Sequence, residues 1–167
     1  VKLIDHMGTD LSVVNAARVS FAKENKEFQV VDDSRLIRYL AKHNHWSPFG
    51  HASLQFHVTA PVFVARQLVK HQVGLVWNEV SRRYVDSEPE FHFVEEWRGS
   101  PDNKKQGSSD EVIDISTHIQ EDYINMCTYT YRYLLDKGVC PEQARMVLPQ
   151  SMMTEWYWSG TLMAFAR

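Results

Sequence analysis

The chain has 167 residues, enough for one domain, and 44% of them are hydrophobic, so a packed globular protein is expected. The net charge of −3 gives no general attraction to nucleic acid or to anionic membranes, so an anionic ligand would need a local basic cluster. No apolar run approaches the roughly 20 residues that cross a bilayer, and no leader peptide is evident. We therefore expect a cytoplasmic protein without a membrane partner.

The first third of the chain predicts one strand and two helices. Val1–Met7 alternates loosely and indicates an opening strand, and Asp10 is a plausible N-cap for a short helix. Glu24–Asp33 lacks an apolar period and predicts a surface loop. Asp33 or Ser34 is then expected to cap a second helix, which ends before the turn WSPFGH.

The middle of the chain predicts a strand followed by a helix. Ala52–Thr59 alternates between apolar and polar residues, as expected for a strand with one buried face. Pro61 suits the first turn of a helix. Gln67, Lys70 and His71 have the spacing i, i+3, i+4, so they are predicted to share its polar side until the next glycine ends or bends it.

Further along, FHFVEEW predicts a strand, and Arg98–Ser109 predicts a mobile loop rich in Gly, Ser and Lys. The longest helical pattern is Ser109–Lys137, whose apolar stripe should pack across a sheet or against a partner chain. Gly138 is expected at its C-cap, and a short helix should begin at Pro141.

The last segments predict an aromatic strand over Thr154–Trp158 and the start of a helix over Thr161–Arg167. Because this helix has no visible end signal, we expect the natural chain to continue. Cys127 and Cys140 form no CxxC motif, so they are predicted to be reduced structural thiols rather than nucleophiles.

Four cations are candidates for binding phosphate: Lys70, Arg82, Arg83 and Arg145. A guanidinium group offers phosphate a planar fork of donors, although a single arginine is more often a solvated surface charge. The adjacent pair Arg82 and Arg83 favours phosphate binding, because neighbouring like charges are better tolerated beside an anion.

Asn78, Glu79 and Ser81 form a second candidate group just before the arginines. The carboxylate could bind a ring imide or a sugar hydroxyl, and the serine could donate to an oxyanion. A simple turn or capping role is equally compatible with these residues. No G-x-S-x-G, GxGxxG or P-loop motif is present, which argues against a serine-hydrolase elbow and a Rossmann or P-loop nucleotide site.

The histidines, including His43, His45 and His51, superficially resemble a metal site. No cysteine or carboxylate completes a metal-ligand spacing, so no metal is predicted, and hydrogen bonding is the favoured role. Most aromatic residues should be core, and Tyr84, directly after the arginines, is the best candidate to stack on a planar ligand.

The segment KHQVGLVWNEVSRRY resembles the signature of the flavin-dependent thymidylate synthases. AARVSF, SPFGHASLQFHVTAPVFVARQ and ARMVLPQSMMTEWYWSG also resemble segments of that family, in the same order. The resemblance implies a mixed α/β (α+β) fold, with a central, mainly antiparallel sheet flanked by helices. It also implies conversion of dUMP to dTMP with FAD, NADPH and methylenetetrahydrofolate, in a homotetramer whose active sites are shared between subunits.

The resemblance also implies roles for individual residues. The positions that would bind dUMP are Gln67, Lys70, Glu79, Ser81, Arg82, Arg83 and Arg145. Those that would bind flavin are Ser20, Ser47, Lys70, His71, Gln72, Val73, Asn78 and Glu79. His45 and Tyr84 would lie beside the nicotinamide or folate. The expected catalytic residues are Ser81, Arg83, Arg145 and His45.

The chain departs from the family pattern at several positions. Lys70 and Gln72 replace two arginines, and one extra residue stands between Gln72 and Ser81. A lysine meets a phosphate as a point charge rather than as a fork. Gly50 replaces an acidic residue, and a further family arginine and a His-Ala-Gln-like segment are expected beyond Arg167.

Two other functions are compatible with the residues. A single-strand nucleic-acid-binding module could use Lys70, Arg82 and Arg83 for phosphates and Trp77 for stacking, although the net negative charge disfavours it. A histidine-metal hydrolase is disfavoured by the missing ligand spacing.

Overall fold

The structure, a computed structural model, describes residues 1–103 and 107–167. Its helices are α1 Asp10–Arg18, α2 Val30–Lys42, α3 Val62–Leu68, α4 His118–Asp136, α5 Pro141–Ala144 and α6 Leu162–Phe165. Its strands are β1 Lys2–Met7, β2 Ser53–Pro61, β3 Leu75–Glu79, β4 Trp97–Arg98, β5 Val112–Ile113 and β6 Met153–Thr161. Residues 104–106, in the predicted Arg98–Ser109 loop, lie outside the described residues.

The main sheet has the strand order β1-β2-β6-β3. β1 pairs antiparallel with β2, and β3 pairs antiparallel with β6. β4 and β5 form a separate antiparallel pair. The predicted mixed α/β fold with a mainly antiparallel sheet is confirmed.

The chain divides into two compact units. The first unit comprises Val1–Thr59, Gln67–Glu79 and Glu155–Arg167, and the second unit comprises Ala60–Arg66 and Val80–Thr154. The expectation of one domain stays a prediction. Among the described residues, no helix combines the length and apolar character that a membrane crossing requires.

The core of the first unit forms where α1 and α2 meet the chain leading into β2. Val13 and Leu40 pack there with Phe49 and Ala52, all of them buried. Burying the larger of these side chains contributes roughly 1.5–3 kcal/mol each, which stabilises the packing of both helices. The two helices predicted for this part of the chain are therefore confirmed.

The predicted N-caps of α1 and α2 are both wrong. Thr9, rather than Asp10, caps α1, and the backbone N–H of Thr9 donates to Ser12 Oγ at 3.0 Å. α2 begins at Val30, inside the segment predicted as a loop, and Asp33 is a fully buried residue of its first turns. The polar sequence concealed the start of α2. The Asp33 carboxylate can be buried there because local donors, instead of water, bind it.

The helix α3 ends at Leu68, earlier than predicted. Lys70 and His71 therefore lie in the following turn and do not share a helical face with Gln67. The backbone N–H of His71 donates to the Leu68 carbonyl at 3.0 Å, which closes the turn. Gly74 has a φ of 77°, a left-handed conformation that glycine adopts without strain, and leads into β3.

The strand predicted over FHFVEEW is wrong. Phe91 makes a single β-bridge with Met152, and the backbone N–H of His92 donates to the Ser151 carbonyl at 2.8 Å. Beyond this point a side chain, rather than a ladder, binds the backbone. The Gln120 amide nitrogen donates to the His92 carbonyl at 2.8 Å, and its oxygen accepts from Val94 N at 3.1 Å. One glutamine thus replaces the neighbouring strand for this segment.

The predicted long helix begins at His118, nine residues later than Ser109, because residues 112–113 pair as β5. Its buried face consists of Ile124, Cys127 and Tyr131, a spacing of three and four. The predicted stripe, which includes Ile119, Tyr123 and Met126, lies on another face and is exposed in this chain, so packing of that stripe across a sheet is wrong. Gly138 follows the helix with φ 84°, as predicted for its end.

Candidate active site

The turn after β3 presents Ser81 and the two arginines. It is closed by backbone bonds from Tyr84 N and Val85 N to the Ser81 carbonyl, at 3.0 and 3.2 Å. Ser81 Oγ accepts from the backbone N–H and the Nε–H of Arg83, at 3.4 and 3.3 Å. The serine therefore orients the exposed Arg83 guanidinium, which also lies 5.0 Å from the centre of the Tyr84 ring.

The neighbouring Arg82 binds the backbone instead of a side chain. Its Nη1 donates to the backbone carbonyl of Ser87, and its side chain is only half-exposed. This contact holds the segment after the turn, at Ser87, against the turn itself. Of the two arginines, Arg83 is the one presented to solvent, and it offers an anion the planar donor fork of a guanidinium group.

Arg145 lies in the short 3-10 turn that follows α5. Its Nε donates to the carbonyl of Glu142 at 3.1 Å, so the side chain is anchored to its own helix. Arg145 belongs to the second unit, as do Ser81, Arg82 and Arg83. The other predicted dUMP contacts, Gln67, Lys70 and Glu79, belong to the first unit.

The turn after α3 brings two predicted flavin contacts together. His71 Nε2–H donates to the Ala164 carbonyl at 2.8 Å, because a carbonyl can only accept and this ring nitrogen must therefore carry the proton. His71 and Gln72 then line a cavity of about 400 Å³ with Trp77 and Trp158. Lys70 Nζ donates instead to the Gln67 side chain at 3.3 Å, and the exposed Val73 is not among the residues of this cavity.

Asn78 and Glu79 are residues of β3, so the turn or capping role that the sequence left open does not apply to them. They pair with Tyr157 and Trp156 of β6. The Trp77 indole N–H donates to Glu79 Oε2 at 3.2 Å. Side chains alternate along a strand, so Asn78 points to the face opposite to Glu79.

A larger cavity, of about 990 Å³, lies beside α1 and α2 in the first unit. It brings together Ser20, His45 and Ser47, the three remaining residues predicted at the flavin or nicotinamide. Sequence reasoning missed Arg18, which also lines this cavity. The motif AARVSF could have identified it, because Arg18 stands just before Ser20.

The histidines near this cavity pack as aromatic rings. His43 lies 4.4 Å and His45 6.0 Å from the ring centre of Tyr39. In the described part of the chain no group of three or more His, Cys, Asp or Glu residues is placed to hold a metal ion.

An α/β protein with an exposed arginine turn and a cavity lined by cations and rings has the features of proteins that bind phosphorylated, planar ligands. The family described as thymidylate synthase complementing protein (Thy1) matches residues 2–167. The chain belongs to this family.

Relatives of known name agree with this result. A flavin-dependent thymidylate synthase of Thermus thermophilus is 42% identical over 163 residues, covering 97% of this chain and 59% of the relative. One of Kosmotoga olearia is 39% identical, covering 95% of this chain and 70% of the relative. The chain thus spans less than two thirds of the length of the Thermus protein.

A solved structure also resembles the chain. The crystal structure of a UMP/dUMP methylase PolB from Streptomyces cacaoi bound with 5-Br dUMP has a TM-score of 0.79 and 33% sequence identity. The match covers 98% of this chain and 73% of that one. The family and the fold expected from the sequence are confirmed, and none of these matches supports the nucleic-acid alternative.

Proposed function

We propose that this protein methylates dUMP to dTMP, with methylenetetrahydrofolate as carbon donor, NADPH as reductant and FAD as redox carrier. The family match over residues 2–167 carries the proposal. It is supported by relatives named flavin-dependent thymidylate synthases and by a similar structure described as a dUMP methylase. We place the reaction in the cytoplasm.

The phosphate of dUMP is assigned to the arginines, chiefly Arg83 and Arg145. The support is that Arg83 is exposed and pre-oriented by Ser81, which lowers the conformational entropy lost on binding. Arg82, tied to a backbone carbonyl, is assigned to shaping the turn as well as to the substrate. Gln67, Lys70 and Glu79 complete the proposed dUMP contacts.

Ser81 is proposed to polarise the uracil rather than to attack it. Its Oγ accepts two N–H groups of Arg83, so the hydroxyl proton is free to be donated to a ring carbonyl. The nearby guanidinium would stabilise negative charge that develops on the pyrimidine. Both roles use groups already held in place before substrate binds.

The residues present fit a flavin. The 990 Å³ cavity offers ring faces, hydroxyls and cations to a planar, anionic group, and Ser20, His45 and Ser47 line it. His71 and Gln72, beside Trp77, offer polar contacts and a ring face. Val73, Asn78 and Glu79 complete the flavin contacts proposed from the resemblance, and Tyr84 is proposed beside the folate or nicotinamide. When bound, FAD would supply the electron-transfer chemistry.

A homotetramer with active sites shared between subunits is also proposed. The support in this chain is the exposed apolar stripe of α4. Its members are Ile119, Tyr123, Met126 and Tyr133. Apolar patches of this kind commonly mark contacts between chains.

The deciding experiment measures dTMP formation by the purified protein when FAD, NADPH and methylenetetrahydrofolate are supplied together or omitted singly. Product is expected only with all three. Arg83→Ala and Arg145→Ala should each weaken dUMP binding by roughly 10- to 150-fold, since a charge-assisted hydrogen bond contributes about 1.5–3 kcal/mol.

Arg38→Ala is the matched control, because Arg38 is an exposed arginine of α2 that no role is assigned to. It should leave dUMP binding unchanged. Unaltered dUMP affinity in both Arg83→Ala and Arg145→Ala would refute the phosphate assignment. A protein that binds neither FAD nor dUMP would refute the proposed activity itself.

A further inference from the structure

The 990 Å³ cavity is lined by basic side chains and by aromatic rings. Arg18, His45 and Arg167 line it, and among the described residues no Asp or Glu side chain does. Tyr39 and Trp46 add aromatic ring faces. In a chain with a net charge of −3, this local composition favours a ligand that combines an anionic group with a planar ring.

Arg18 is held in this wall by a buried carboxylate. Its Nη2 donates to Asp33 Oδ1 at 2.7 Å, and Asp33 is fully buried. Asp33 also accepts from the backbone N–H of Gln29 at 2.7 Å and from the Asn25 amide at 3.1 Å. These contacts fix the guanidinium group before any ligand binds, so less conformational entropy is lost on binding.

Arg18 also keeps donors that the described part of the chain does not use. A guanidinium group has five N–H donors, and the recorded hydrogen bond of Arg18 engages Nη2. Its Nε is buried without a hydrogen-bond partner, and 27% of the side chain is exposed. The exposed part of this side chain lines the cavity, so an anion bound there can reach it.

The carboxylate of Asp33 does not cancel this role. Arg18 donates to it through Nη2, and its other hydrogen bonds come from Asn25 and the backbone of Gln29. The exposed part of the Arg18 side chain remains able to attract and bind an anion.

We propose that Arg18 binds a phosphate group of the flavin dinucleotide in this cavity, with Asp33 as the residue that positions it. This assignment rests on the proposed use of FAD. It adds an anion-binding residue on α1 to contacts otherwise provided by serines, a histidine and the turn after α3. The competing explanation is that the Arg18–Asp33 pair only ties α1 to α2.

The test is a fluorescence titration of the purified protein with FAD, and with riboflavin, which has no phosphate, at several NaCl concentrations. Arg18→Gln should weaken FAD binding roughly tenfold or more and flatten its salt dependence, because salt screens the lost charge–phosphate attraction. Riboflavin and dUMP binding should not change. Arg18→Lys should lie between the two proteins in FAD affinity, because it keeps the charge without the fork.

Arg38→Gln, on the exposed side of α2, is the control and should behave as the unaltered protein. A purely structural role would weaken FAD and riboflavin equally at every salt concentration, in Arg18→Lys as in Arg18→Gln, and would overturn the inference. A selective loss of dUMP affinity would assign the phosphate to the substrate and also overturn it.

The inference and the cofactor proposal fail in different ways. If the unaltered protein binds FAD and Arg18→Gln binds it equally well, the role of Arg18 is wrong while FAD remains the cofactor. If the unaltered protein binds no FAD, the cofactor proposal is wrong and the inference falls with it.

Discussion

Asp33 is fully buried in α2, yet it is surrounded by donors that favour its ionised form. The hydrogen bond from the backbone N–H of Gln29 is the main cause that holds the pKa of Asp33 below its usual value of 3.8. Burial acts in the opposite direction, and the side chains of Arg18 and Asn25 add to the lowering. The carboxylate thus stabilises the loop between α1 and α2 through its charge.

We predict that Asp33→Asn lowers the stability of the protein in a pH-dependent way. A pKa that is lower in the folded than in the unfolded state gives stability that is present above the unfolded value of 3.8. That stability is lost as the pH falls through the lower, folded value. The urea midpoints of the two proteins should differ most near pH 7 and converge as the pH falls below about 4.

Asp32→Asn is the matched control, since Asp32 is its exposed neighbour on the same turn of α2. It should leave the urea midpoint nearly unchanged at every pH. A constant difference between Asp33→Asn and the unaltered protein from pH 7 to pH 3 would contradict the electrostatic role.

At the scale of single elements, β3 depends on a close approach to β6 at Gly160. Gly160 pairs with Leu75, the first residue of β3. A Cβ atom added at Gly160 would lie 2.6 Å from the carbonyl oxygen of Gly74 and would also meet the Leu75 side chain. No side chain fits there unless the turn that carries His71 and Gln72 shifts.

We therefore predict that Gly160→Ala destabilises the protein by about 1–3 kcal/mol, the usual cost of overpacking. Urea unfolding measures this directly. Because the shift would move the turn before β3, the variant should also bind FAD less tightly in the fluorescence titration.

Gly50→Ala provides the comparison. No atom lies within 4 Å of the position of its added Cβ, and its backbone is not left-handed. Its unfolding midpoint should match that of the unaltered protein within error. Equal losses in both variants would show that the effect is a general response to alanine, not to crowding against β3.

The elements that could be predicted from sequence are those with a long, regular pattern. β2 alternates along its nine residues, and it was predicted close to its observed bounds. β6 has an aromatic run, and the predicted strand Thr154–Trp158 lies within the observed Met153–Thr161. β3 has only five residues and was missed, because LVWNE is too short to show a period. The segment FHFVEEW shows the opposite failure. It has the composition of a strand, but its backbone groups hydrogen-bond to the side chain of the distant Gln120.

The same distinction applies to the candidate site. The residue types of the Ser81–Tyr84 turn could be chosen from sequence because they are contiguous. Arg18 was missed although it lies in the motif AARVSF, because its partner Asp33 lies 15 positions away and was taken for a helix cap. Likewise, α3 ends before Lys70, so Lys70 and Gln67 do not lie on one helical face as predicted. Their side chains nevertheless form a hydrogen bond. Contacts between elements carry this information, and local spacing does not.

At the scale of the whole molecule, α4 has two apolar faces. One is buried within the second unit and includes Ile124 and Tyr131. The other includes Ile119, Tyr123 and Met126, which are all more than half exposed in the single chain. A helix with apolar residues on two sides is typical of one that packs against its own chain and against another.

We predict that Met126→Glu weakens self-association at least roughly tenfold, because a carboxylate would have to lose its water in an apolar contact. Met126 is 61% exposed in one chain, so the variant should still fold, with an unchanged circular dichroism spectrum. Light scattering across a dilution series should then report a smaller particle than for the unaltered protein.

Asn125→Glu adds the same charge to an exposed position of α4 outside the stripe and should leave the particle mass unchanged. Equal masses for all three proteins would mean that the α4 stripe is not where the subunits meet, and the proposed sharing of active sites would then require another surface.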